Sequence, residues 1–87
     1  MLRIERRGNG EIAFIVSGRL GADNVKEIST LLAAEATNRR LVLDLKDVVL
    51  VDRDVVRFLR KCENDGIQLR NCPPFVRAWM ERERDEQ

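Results

Sequence analysis

The chain has 87 residues, 44% of them hydrophobic and 36% charged, with a net charge of +1 from 16 basic and 15 acidic side chains. That length holds one core, and the composition is too apolar for a disordered chain. The two signs of charge are interleaved, as in Glu81-Arg82-Glu83-Arg84, so the uncompensated basic stripe that nucleic-acid binding needs is missing.

Histidine is absent, and so is tyrosine. The commonest general base and the commonest metal ligand are therefore missing. Hydroxyls are confined to Ser17, Ser29, Thr30 and Thr37. This inventory points away from an enzyme and implies neither cofactor nor metal. Cys62 and Cys72 form no Cys-x-x-Cys motif or disulfide framework. Apolar runs such as Val48-Val49-Leu50-Val51 are far short of a membrane span, and the chain opens on an alternating charged stretch rather than a signal peptide. The expectation is a cytoplasmic protein with reduced thiols and no membrane association.

Residues 2–6 alternate apolar and charged, the pattern of a half-buried strand. Gly8-Asn9-Gly10 is a hairpin signal, and Ile12 to Val16 is a second strand, antiparallel to the first. Gly18 and Gly21 are expected in a tight turn before a helix, with Asn24 and Glu27 as its capping box and Asp23 as an alternative cap. Val25, Ile28, Leu31 and Leu32 carry that helix, which fades near Thr37-Asn38.

Leu41 to Leu45 is almost continuously apolar, as in a central strand. Val48 to Val51 leads from it to Asp52. Val55, Phe58, Leu59 and Cys62 then recur at helical spacing, predicting a second helix over 53–64, ended by Asp65-Gly66. Ile67 to Leu69 is a short strand. Pro73 and Pro74 open a third helix, whose apolar side is formed by Phe75, Val76, Trp79 and Met80. Residues 1–80 make the domain, and 81–87 a charged C-terminal tail. The fold class is α/β: a mixed, mostly parallel four-stranded sheet with an N-terminal antiparallel hairpin, in the order β-β-α-β-α-β-α.

Two segments carry a family resemblance. One is Val16 to Asn24, a strand running through Gly18-Arg19-Leu20 into a capped helix. The other is Leu41 to Asp52, an apolar strand with Asp44-Leu45, a loop, and an apolar residue followed by Asp at a helix start. With Gly66 to Leu69 and Asn71-Cys72-Pro73, the chain resembles the STAS domain, the fold of anti-sigma-factor antagonists in bacterial partner-switching systems. The resemblance covers about residues 2–80.

The resemblance implies a non-catalytic protein-binding module in transcription regulation. Its partner would be an anti-sigma factor with kinase activity, docked around the start of the second helix. The interaction surface implied here is Gly18, Arg19, Asp23, Asn24, Asp52, Arg53, Asp54 and Arg57. In regulated members a Ser or Thr follows the Asp that matches Asp52, and phosphorylating it places about −2 charge in the interface and expels the partner. Arg53 occupies that position in this chain and is not phosphorylatable; no Ser or Thr lies between residues 38 and 87. The phosphorylation switch is therefore expected to be absent. Family members commonly continue with another strand and helix, so the resemblance implies a sheet edge or an apolar patch open for a partner or a second copy. The alternative reading is a structural or self-associating subunit, a homodimer using the fold as scaffold.

Overall fold

A computed structural model of the chain describes residues 2–8, 10–35 and 40–85. The elements are β1 (Leu2–Gly8), β2 (Glu11–Leu20), α1 (Ala22–Ala33), β3 (Arg40–Val51), α2 (Arg53–Asn64), β4 (Gln68–Arg70) and α3 (Pro74–Asp85). The four strands form one sheet in the order β1-β2-β3-β4. β1 is antiparallel to β2, while β2–β3 and β3–β4 are parallel. This is the expected α/β order and topology.

Both parallel crossovers step across the sheet in the same direction. Right-handed connections then place α1 and α2 on one face. The alternation in β2 records this. Ile12, Phe14, Val16 and Leu20 are buried, and Ala13, Ile15 and Ser17 are only partly covered. The helix-covered core joins those residues to Ile28 and Leu32 of α1, Leu43, Leu45 and Val48 of β3, Val55, Val56 and Leu59 of α2, and Val76 and Met80 of α3. Val42 is fully buried on the other face, where Arg70 of β4 reaches Glu11 of β2 at 2.9 Å, a bridge that crosses the line of β3.

Several elements differ from the sequence expectation. β3 does not stop near Leu45 but runs to Val51. It does so by carrying extra residues: Ile15 pairs with Asp44 but Ser17 with Asp47, and Gly18 pairs with Val48 but Arg19 with Leu50. Such bulges bend and twist a strand without ending it. Gly18 is accordingly inside β2, at φ +96°, and not in the turn before α1. α1 begins earlier than an Asn24 cap would allow. Its N-cap is Gly21, and Asn24 sits in the first turn with its Oδ1 accepting the Gly21 N–H at 3.0 Å. Asn9 and Thr37-Asn38 lie outside the described residues.

α2 matches its expected bounds. It ends in a Schellman arrangement: Gly66 is at φ +92°, the Ile67 N–H reaches the Cys62 carbonyl at 2.9 Å, and the Gly66 N–H reaches Glu63 at 3.2 Å. α3 continues past residue 80 to Asp85, with Glu83 buried, so the charged segment from Glu81 begins as helix rather than as tail. Phe75 is 46% exposed, whereas Val76 and Met80 carry the packing of α3 and Trp79 lies half-buried against the core.

Candidate functional site

Asp52 organises the end of the sheet at which β2 and β3 run into α1 and α2. It is the N-cap of α2, with Oδ1 accepting the Val55 N–H at 3.0 Å. Its other oxygen, Oδ2, accepts the Ala22 N–H at 2.8 Å, the first N–H of α1. One carboxylate thus satisfies unpaired donors at the starts of two helices, and its charge suits both positive helix ends. The cap was legible from sequence; the second bond spans 30 residues and belongs to the tertiary structure.

Beside Asp52 opens a cleft of about 410 Å³, lined by Leu2, Arg19, Leu20, Gly21, Asp23, Asn24, Leu50, Val51 and Asp52. Four of the eight expected surface residues, Arg19, Asp23, Asn24 and Asp52, therefore meet at one place. A Cβ on Gly21 would stand 2.9 Å from Asp23 Oδ1, an exposed side chain that would have to turn aside, and 3.7 Å from Asp52 Oδ2, an ordinary contact. Among these charged and polar groups Leu50 is 52% exposed, and its neighbour Val49, outside the cleft, 68%. Both face solvent because the bulge opposite Gly18 and Arg19 breaks the alternation of β3. Sequence reading missed Leu2, Val49 and Leu50. The available signal was the run Val48 to Val51, because a strand of period two cannot bury four successive side chains on one face.

The other expected residues point elsewhere. Gly18 is a backbone device in β2 at a register shift. Arg53 turns toward α3, its Nε 3.0 Å from Glu83 Oε1 but without hydrogen-bond alignment. Glu83 is buried and Arg53 largely exposed, so the guanidinium covers a carboxylate at the base of a small cavity shared with Trp79 and Arg82. Asp54 and Arg57 line a separate groove of about 550 Å³ between α1 and α2, with Val25, Phe58 and Ile67 among its apolar walls. The eight residues thus surround the start of α2 on three sides rather than forming one patch.

The aspartates disperse in the same way. Asp44 accepts the Lys46 N–H at 3.0 Å and a hydrogen bond from Asn71 Nδ2 at 3.3 Å, beside β4 and eight residues before the Asp52 cap. Among the described residues no three His, Cys, Asp or Glu side chains are grouped so as to hold a metal ion. Cys62 is in the core, and burial pushes its thiol up to about 11. Cys72, ahead of α3, is also pushed up, by burial, against the lowering effect of Arg77. The thiol activation that a helix N-terminus sometimes provides is not the dominant effect at Cys72. Among the described residues no helix is long and apolar enough to cross a membrane.

No family model matches the chain, and no curated protein matches it. Solved structures do. A structure of Mglu superposes with a TM-score of 0.62 at 20% identity, over 83% of this chain and 19% of that one. An uncharacterized protein of the DUF3478 family with a SpoIIAA-like fold, from Shewanella loihica PV-4, superposes with a TM-score of 0.53 at 16% identity, over 78% of this chain and 61% of that one. The chain therefore spans about a fifth and about three fifths of these two proteins. At such identities the likeness establishes a SpoIIAA-like, STAS-type fold.

Proposed function

We propose that this chain is a non-catalytic protein-docking module of the STAS type, whose contact surface is the Asp52 end of the sheet and which lacks the family's phosphorylation switch. The observation that carries the reading is the exposure of Leu50 in a cleft also lined by Leu20 and Val51, with Val49 exposed next to it in β3. Exposed large apolar side chains ringed by charge, here Arg19, Asp23 and Asp52, are the anatomy of a contact patch. Two capped helix starts hold the patch rigidly, which lowers the ordering cost of association.

Arg53 supports the absence of the switch. It stands directly after the capping Asp and is engaged with Glu83. The partner that fits the resemblance is an anti-sigma factor with kinase activity, in a bacterial, cytoplasmic partner-switching circuit.

Titration of the purified chain against such kinases tests the proposal. Leu50→Asp and Arg19→Glu are expected to weaken binding about tenfold or more, because each removes an anchor or a steering charge from the patch. Binding by both variants equal to wild type removes this face from the interface. Incubation with the same kinases and ATP is expected to leave the intact mass unchanged. A phosphorylated product refutes the loss of the switch.

A further inference from the structure

We propose that two copies of this chain join through their β1 edges, antiparallel and centred on Ile4, to form one continuous eight-stranded sheet. β1 is an outer strand of the sheet, so among the described residues one side of its backbone has no strand partner. Proteins protect such edges with proline, bulges, brevity or charged side chains. β1 carries charge at Arg3, Glu5, Arg6 and Arg7, but of both signs, and has neither a proline nor a bulge. It runs seven residues without proline and pairs with β2 residue for residue from Leu2–Gly18 to Gly8–Ile12, whereas β2 and β3 are twice irregular. β4, the opposite edge, is only three residues long.

The side chains of β1 choose the occupant. Arg3, Glu5 and Arg7 are exposed and pair with Ser17, Ile15 and Ala13 on the face away from the helices. Leu2, Ile4 and Arg6 are on the helix face, where Arg6 holds Glu35 at 2.9 Å. In an antiparallel pair, opposed residues share a face, and opposite charges facing each other stabilise while like charges destabilise.

A two-fold axis at Ile4 sets Arg3 of each copy opposite Glu5 of the other and brings the two Ile4 side chains together. An axis at Glu5 would oppose Glu5 to Glu5 and Arg3 to Arg7. An axis at Arg6 would oppose two guanidiniums and shorten the overlap. The Arg6 axis also pairs Glu5 with Arg7 twice, but around two opposed guanidiniums; the Ile4 register sets its two opposite-charge pairs around an apolar centre, with Arg6 opposite Leu2. Among the described residues Glu5 accepts two long, exposed hydrogen bonds from Arg7, at 3.3 and 3.4 Å, both on Oε1, which leaves Oε2 to a second copy. The interface is isologous, closes on itself and keeps both helix layers on the same side of the extended sheet. It does not depend on the docking surface proposed above.

Size-exclusion chromatography with light scattering, on the full chain from micromolar to millimolar, tests this. Wild type is expected to show a concentration-dependent dimer. Arg3→Glu and Glu5→Arg each create two like-charge oppositions and are expected to weaken dimerisation about tenfold or more. The double variant carrying both exchanges restores the pairing and dimerises as wild type does. An equimolar mixture of the two single variants forms a heterodimer, because each supplies what the other lacks. Both positions are exposed, and circular dichroism confirms that each variant is folded; should a single variant misfold, the double variant decides. A wild type that stays monomeric, single variants that dimerise like wild type, or a double variant that does not recover overturns the proposal.

Discussion

At the scale of residues, Asp52 ties the starts of α1 and α2 together through one carboxylate. An N-cap is worth about 1 kcal/mol, and a charge-assisted bond to a second N–H adds a comparable amount. Asp52→Ala is therefore expected to cost about 2 kcal/mol in a urea melt, more than a single cap would. A loss of only a few tenths would mean that water replaces both bonds.

The thiols add a pH dependence at this same scale. The core holds Cys62 protonated up to about 11, against 9.0 for a free thiol. Between those values the unfolded chain gives up a proton that the folded chain keeps, so the unfolded state is favoured as pH rises. Stability is then complete below pH 9 and declines toward pH 11. Cys62→Ala should flatten that decline in melts taken across the range. Alkylation supplies a second check. Cys72 is the less buried of the two and should react first, with Cys62 labelled only on unfolding.

The elements show where local patterns suffice and where they fail. α2 has its cap, its apolar spacing and its Schellman terminus all in sequence, and its expected bounds are the observed ones. β3 fails in an instructive way. Its second half looks like a connection, because Asp44, Lys46 and Asp47 interrupt the apolar run, yet pairing with β2 continues through two irregularities. Gly18 makes this possible, since φ +96° at the second irregularity is a conformation that a Cβ penalises. Gly18→Ala is expected to cost about 1–2 kcal/mol in a thermal or urea melt, although the site is a strand and not a turn. An unchanged melt would show that β2 and β3 can re-register without the bulge, and Val49 and Leu50 would then lose their reason for facing solvent.

For the whole molecule, three helices on one face of the sheet leave the other face to charged bridges such as Arg70–Glu11. The domain is thin, so its last element matters. α3 is part of the body: its Glu83 is 5% exposed and meets Arg53 at the start of α2. Truncation after residue 80 removes that contact and the end of the helix. It is expected to lower the melting temperature by several degrees, about 1 kcal/mol or more for a domain this small. A truncated chain that melts like the full one would restore the boundary at residue 80.

Sequence alone determined the class, the order of the seven elements, the hairpin, the bounds of α2 and the Asp52 cap. Each is written within a dozen residues, in alternation, helical spacing or turn chemistry. Only the tertiary structure decided which of the expected surface residues meet. Arg19, Asp23, Asn24 and Asp52 converge because β2 and β3 end side by side, while Arg53 is drawn to α3 and Asp54 and Arg57 to the α1–α2 groove. The shared cap from Asp52 to Ala22, the exposure of Leu50 and the burial of Glu83 are likewise matters of packing between segments 30 residues apart. No local pattern encodes them, because the energy of each contact resides in a partner that is distant along the chain.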